Sequence, residues 1–459
     1  VDAVLDLIGR REGRSVDVLR ELLRIPSISA DPERAADVRR AAEHVARLLS
    51  TEGIPRVEVV PTAGHPIVLG EWTQDPDAPT VLVYGHYDVQ PIATPEAWTS
   101  PPFEPVVRDG RIWARGATDD KGQLLCHVLA AGAFLAAERR LPANLKLVLE
   151  GEEEVGSRHL AEFVRTQRER LACDVVAISD TAMAGPGVPS ICTGLRGLAY
   201  VELTVRAATQ DLHSGGFGGA VDNPALVLGR TLGALKDPAT GRILVDGFYD
   251  DVRDVDAQER AGWGALPDPD RCYLEMTGAP RLFGEAGYSV LERIWGRPSL
   301  DVNGIWGGFT GEGSMTVLPA RASAKVSMRL VPDQEPGRAA KLLRRQVERL
   351  LPETVVLERF VDLHGALPWT ARSDHPAMRA AFGAVEKGFG RTPLATREGG
   401  SIPIVPMFQD TLGAPVVLLG FGLQDEGAHG PDEHFDLGNF QAGIRTAAHF
   451  LREVRDVLA

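Results

Sequence analysis

Histidines and carboxylates in this chain gather in five short segments whose makeup suits the coordination of a cation. In Tyr84-Gly85-His86-Tyr87-Asp88 an apolar run ends in an imidazole with a carboxylate two residues further on. A ligating imidazole needs its second ring nitrogen held by an acceptor, so His86 reads as a metal ligand and Asp88 as the group that fixes its tautomer and ring plane. Gly116-Ala117-Thr118-Asp119-Asp120-Lys121-Gly122 is a glycine-bounded turn opening an apolar helix. One of its adjacent carboxylates can cap that helix while the other points elsewhere. A carboxylate, unlike an imidazole, can also bridge two cations with its two oxygens.

Glu150-Gly151-Glu152-Glu153-Glu154-Val155-Gly156-Ser157 crowds acids at the end of a strand, which is costly unless cations or protons neutralise them. Adjacent acids suit hydrolysis, with one binding metal while the other takes a proton from water and returns it to a leaving amine. Ser179-Asp180 adds a carboxylate at another strand end, and Gly427-Ala428-His429 adds an imidazole in a loop before the final helix. Each segment alone is a common surface feature. Together they form a nitrogen and oxygen donor set that suits zinc, manganese or cobalt rather than copper(I) or an iron–sulfur cluster. His44, His65, His127, His159, His375, His434 and His449 fall outside these segments and receive no chemical role.

The elements that must position these residues alternate between strand and helix patterns. Amphipathic helical spacing covers the first twenty or so residues, ending at Ile25-Pro26, and a second helix is expected over Asp31–Thr51 with Asp31 placed to cap it. Strand patterns follow at 57–60, 67–71 and 80–84, then an apolar helix at 122–138 and strands at 145–150 and 175–179. From about Gly197 the texture changes to one-sided alternation, at 200–206 and 322–331, with a helix at 336–351. Helix and buried-strand patterns then resume at 375–387 and 416–420, and a last helix spans 438–457. The expected fold is α/β, a discontinuous catalytic domain with a mixed sheet flanked by helices over 1–197 and 363–459. A smaller α+β domain is inserted over 198–362.

A length of 459 residues exceeds the roughly 250–300 at which single cores stop growing, consistent with more than one domain. The net charge of −14 argues against nucleic acid or an anionic membrane as partner. Cys126, Cys173, Cys192 and Cys272 form no CxxC pair, so free thiols in a reducing compartment are expected, and the cytoplasm is the default location. No apolar run approaches the roughly 18 residues needed to span a bilayer.

Taken in order, Gly-His86-Tyr-Asp88, Gly-Ala-Thr-Asp119-Asp-Lys-Gly, Glu-Gly-x-Glu153-Glu154-x-Gly-Ser, Ser-Asp180 and Gly-Ala-His429 resemble the M20 metallopeptidases, in particular their carnosinase-like, cytosolic nonspecific dipeptidase branch. The resemblance extends over essentially the whole chain. It implies two divalent metal ions, zinc first and manganese or cobalt as alternatives. His86 and Asp180 would hold one, Glu154 and His429 the other, and Asp119 would bridge both, with a cis peptide bond following it. It also implies Glu153 as general base, Asp88 orienting His86, and an inserted domain that serves as lid and dimerisation domain.

Further matches within and after the insert imply substrate contacts. His213, in Asp211-Leu-His-Ser-Gly-Gly, would reach the active site of the partner in a homodimer and stabilise an oxyanion. Thr316, Arg329, His364, Glu398 and Ser401 would line the substrate pocket, with Arg329 gripping a carboxylate in two-pronged fashion. The implied reaction is hydrolysis of di- or tripeptides. An N-acyl-amino-acid deacylase or a carboxypeptidase on the same scaffold is the nearest alternative. A non-catalytic peptide-binding dimer, which should have lost a ligand or Glu153, is the alternative from another class.

Overall fold

A seven-residue apolar strand, Thr80–His86, lies in the middle of a mixed sheet and is buried along nearly all its length. The computed structural model describes residues 2–266 and 268–459. They fall into two units, the first comprising Val1–Thr193, Ala371–Thr396 and Ile404–Ala459, the second Gly194–Thr370 and Arg397–Pro403.

In the first unit the sheet runs, edge inward, Arg56–Val60, Ile67–Trp72, Asn144–Glu150, Thr80–His86, Val175–Ile178, Val416–Leu418 and Ser190–Leu195. Thr80–His86 pairs in parallel with both neighbours, placing His86 opposite Glu150 and Tyr84 opposite Ile178. The carboxyl ends of three adjacent strands therefore open on one side, where sites form in α/β sheets. Lys121–Glu138 is apolar around its whole circumference and buried from Lys121 through Phe134, as an internal helix must be. It packs against Leu437–Leu458, which also meets Pro376–Phe389. Val4, Leu19, Val45, Phe134, Phe440 and Phe450 belong to the one apolar cluster that joins these helices to the sheet.

The second unit is a four-stranded antiparallel sheet in the order Ser299–Trp306, Arg321–Leu330, Gly197–Arg206, Val356–Ala366. Ala199, Val201, Leu203 and Val205 alternate onto one face with Ala324, Val326 and Met328, and the helices Pro224–Gly233 and Pro336–Leu350 contribute Leu228 and Leu343 to the same cluster. This is the one-sided alternation expected of the segment. Arg397–Pro403 belongs here too, tied by Arg196, whose backbone N–H donates to the Glu398 carbonyl (3.2 Å) and whose Nε donates to the Gly399 carbonyl (3.1 Å).

Two helix expectations are revised. The first helix is two, Asp2–Arg10 and Glu12–Leu23, with the break at Arg11 between Gly9 and Gly13. Glycine lowers helix propensity enough for the chain to turn there. Asp31 does cap, accepting from the Glu33 N–H at 2.9 Å, but it opens a 3₁₀ turn, Pro32–Arg34, that leads into Ala35–Thr51.

Gly85 lets the central strand approach the start of the buried helix. A Cβ there would stand 2.8 Å from the Leu124 Cβ and 2.9 Å from the Asp120 Oδ2. Gly85→Ala should therefore destabilise the first unit by about 1–3 kcal/mol, the usual cost of overpacking. A urea unfolding midpoint equal to that of the wild type would show that strand and helix can part freely.

Candidate metal centre

His86 ends the central strand, and two residues past Ile178 the next strand delivers Asp180. The His86 Nε2 lies 3.1 Å from one oxygen of Asp119 and 3.9 Å from Asp180. The other oxygen of Asp119 lies 2.9 Å from the Nε2 of His429, which is itself 3.3 Å from Glu154. Two trios that could hold a metal ion result, His86–Asp119–Asp180 and Asp119–Glu154–His429, each with donor atoms within 4.8 Å of one another. Asp119 is common to both, one oxygen turned to each.

Asp88 organises this arrangement from behind. Its carboxylate and its carbonyl stand 3.4 and 3.2 Å from the His86 Nδ1, which leaves Nε2 aimed at Asp119 and Asp180. The same carboxylate accepts the backbone N–H groups of Glu153 (3.3 Å) and Glu154 (3.1 Å), so one side chain fixes both the imidazole and the acidic turn. The Asp119–Asp120 peptide bond is cis. Neither aspartate caps the helix that follows, contrary to the expectation that one would. Asp120 sits at the capping position but accepts the His86 N–H at 3.1 Å instead. The buried strand end has that donor to satisfy, and an unpaired buried N–H is expensive.

The charges of the centre act strongly on one another. Burial works against protonation of His86, yet Asp119 and Asp88 hold its pKa well above the usual range. Contacts with Asp119 and Glu154 raise His429 to about 10. Burial, reinforced by Asp119, pushes the Asp180 carboxyl far up. Burial also raises Glu153 to about 7, helped by Glu154 and Asp119 against the pull of His86. The nest thus seeks positive charge. The buried His86 Nε2 has no hydrogen-bond partner among the described residues and faces a carboxylate oxygen. An imidazole and carboxylate donor set arranged in this way fits divalent transition metals.

The rest of the acidic run is accounted for locally. Glu150 accepts from the hydroxyls of Tyr84 (2.5 Å) and Ser157 (2.7 Å), and burial raises it to about 8. Glu152 pairs with the His159 Nδ1 at 2.7 Å. Of the unassigned histidines, His434 stacks on Trp113 at 4.1 Å and bonds the Asp432 carbonyl through Nδ1, and His127 bonds the Ser179 hydroxyl at 2.7 Å.

The sequence profile of peptidase family M20/M25/M40 matches residues 82–453. The chain belongs to this family. It is thereby a hydrolase acting on peptides. Among similar proteins, the Cys-Gly metallodipeptidase of Schizosaccharomyces pombe is 33% identical over 472 residues, spanning 100% of this chain and 99% of its own length. The crystal structure of human carnosine dipeptidase 1 superposes with a TM-score of 0.83 at 32% identity, covering 99% of this chain and 98% of that one. The M20 family metallo-carboxypeptidase of Sulfolobus solfataricus gives 0.82 at 31% identity, with 96% and 99% covered.

The remaining expected site residues of this peptidase lie in its second unit. The Nδ1 of His213 accepts the N–H groups of Gly215 (3.0 Å) and Gly216 (3.2 Å), so the proton of the neutral ring sits on Nε2, where the side chain is exposed. The Thr316 carbonyl accepts the Ser214 N–H at 2.9 Å, just beyond that histidine. Arg329 is half-buried and donates to the Ser401 hydroxyl (3.1 Å), which in turn donates to the Arg196 carbonyl. Burial, with Arg329 nearby, lowers Arg196 to about 10. His364 is exposed and stacks on Tyr200 at 5.0 Å. The Glu398 carbonyl accepts from Arg196.

Sequence reasoning assigned no part to Glu433 or Glu426, although both support the Asp119 turn. The Glu426 carboxylate accepts from the Thr118 hydroxyl at 2.7 Å and from the Leu423 and Asp436 N–H groups, both at 2.8 Å. Glu433 lies four residues past His429 in the sequence, but only the fold reveals what it touches. Asp119→Asn keeps the shape and removes the charge shared by both trios. Zinc affinity of the variant, measured by competition with a chelator, should fall at least about a hundredfold, beyond what outer-shell changes produce. Unchanged affinity would remove Asp119 from the centre.

Proposed function

We propose that this peptidase cleaves dipeptides and tripeptides at a centre of two divalent cations. The observation that carries this is the division of Asp119 between His86 and His429, each of which stands with one further acid. His86 and Asp180 would hold one ion and Glu154 and His429 the other, zinc being the first choice and manganese or cobalt alternatives. Such ions supply Lewis acidity, lowering the pKa of water and polarising a carbonyl. Glu153 is the proton carrier. It adjoins Glu154, its carboxyl is buried among neighbouring acids, and it would take a proton from water and hand it to the departing amine. Asp88 holds His86 in the tautomer that leaves Nε2 free to ligate.

For the second unit the reading gives Arg329 the substrate carboxylate. Support comes from its half-burial with a neutral hydroxyl as hydrogen-bond partner. Ser401, Glu398, His364 and Thr316 would complete the pocket. His213, with its proton on the exposed Nε2, has the form of an oxyanion donor, acting on the partner subunit of a homodimer. The dimer reading is supported by Val302, Ile305 and Trp306, which are exposed on the edge strand Ser299–Trp306. The cytoplasm suits four free thiols, and no described helix is long and apolar enough to cross a membrane.

The dipeptidase and carnosine dipeptidase relatives favour dipeptides, whereas the likeness to the Sulfolobus carboxypeptidase favours a second reading, removal of C-terminal residues from longer peptides. Glu153→Gln should retain its metal while kcat falls at least about a hundredfold, the usual loss of general-base help. Metal analysis and steady-state kinetics on one preparation check both, and an unchanged kcat would remove Glu153 from its role. Unblocked dipeptides should be turned over faster than their N-acetylated forms by kcat/KM. A preference for the blocked compounds would point to a deacylase or carboxypeptidase.

A further inference from the structure

The two loops that carry Asp119 and His429 are about three hundred residues apart in the chain and must be held at one spacing for both side chains to meet a cation. A small sheet brings them together. His434–Asp436 pairs antiparallel with Arg111–Trp113, with His434 opposite Trp113. Glu433 lies one residue before His434, and Arg115 two residues after Trp113.

Glu433 is fully buried and receives four hydrogen bonds. Its Oε2 accepts from the Arg115 Nη1 (2.7 Å) and the Gly116 N–H (2.9 Å), and its Oε1 from the N–H groups of Thr118 (3.1 Å) and Asp119 (3.2 Å). Every one of these partners donates, so the site needs two acceptor oxygens and no hydrogen. Only a carboxylate supplies that. Arg115, also buried, reaches the other way, its Nη2 donating to the carbonyl of His429 at 3.2 Å. His429 has a φ of +63°, a left-handed conformation that a non-glycine residue keeps only where its surroundings enforce it. The guanidinium thus ties the His429 backbone to the carboxylate that gathers the Asp119 turn.

We propose that the Arg115–Glu433 pair is a positioning clamp that sets the spacing between Asp119 and His429, and with it the cation affinity of the Asp119–Glu154–His429 position. It governs two of the three ligands there. At the other position it governs only Asp119, since His86 and Asp180 stand on strand ends that neither residue touches. The proposal rests on the two-cation reading above.

Calorimetric titration of the chelator-stripped, full-length protein with Mn2+ tests it. Wild type should show two binding events. In E433Q, whose amide hydrogens would face donors, and in R115K, which keeps the charge but loses the second nitrogen, one event should weaken at least about tenfold. The other should stay within about threefold, a margin well below that outer-shell effect. The weakened event should be the one that His429→Ala abolishes, and kcat should recover at saturating metal. If E433Q does not fold, R115K carries the same expectation. Two events in wild type with both unchanged, or both equally weakened, in the variants would overturn the clamp alone. Fewer than two in wild type would overturn the two-cation reading and the clamp with it.

Discussion

Everything at this centre follows from one carboxylate shared between two imidazoles. Asp119 turns one oxygen toward His86 and the other toward His429, at about hydrogen-bond distance from each. Around it stand Asp180, Glu154 and Glu153, all drawn from water into a low-dielectric interior where like charges repel strongly. The histidines respond by holding protons far above their usual range, and Asp180 and Glu153 respond by resisting ionisation. Divalent cations would answer the same electrostatic demand.

Such a constellation needs a rigid frame, and the parallel core of the sheet provides it. His86 and Asp180 come from the ends of adjacent parallel strands, so their spacing is set by backbone hydrogen bonding. Gly85 admits Asp120 against the central strand, where it accepts the His86 N–H. Asp88 then couples the imidazole to the turn bearing Glu153 and Glu154. Three loops are thereby referenced to one strand end. The candidate ligand least constrained by secondary structure is His429, and its loop is the one that the Arg115–Glu433 pair reaches.

The buried acids divide by partner. Those aligned with backbone N–H groups or hydroxyls, namely Asp120, Glu150, Glu426 and Glu433, build the walls. Glu152 turns to the His159 imidazole away from the centre, whereas Asp119, Asp180 and Glu154, turned toward His86 and His429, form it. Nothing in side-chain chemistry separates Glu150 from Glu154; two hydroxyls stand opposite the first, and the Gln90 amide and the His429 imidazole opposite the second.

Family, overall architecture and the ligand candidates were legible in the chain itself, because short motifs of imidazole and carboxylate around glycine turns survive as local patterns, and because buried strands and an all-apolar helix announce themselves by periodicity. Local pattern did not reach further. The edge strand Val356–Ala366 is largely exposed and broken in register near Leu357 and Asp362, so its alternation is blurred. One of the adjacent carboxylates Asp119 and Asp120 looked able to cap a helix because capping is a local interaction, yet a distant strand end claimed Asp120. Glu433 and Arg115 acquire meaning only through a pairing between strands more than three hundred residues apart. Residue type and short-range spacing determine what a side chain can do. Which partner it meets is decided by long-range packing, since burial leaves each polar group to find its bond wherever the fold brings one.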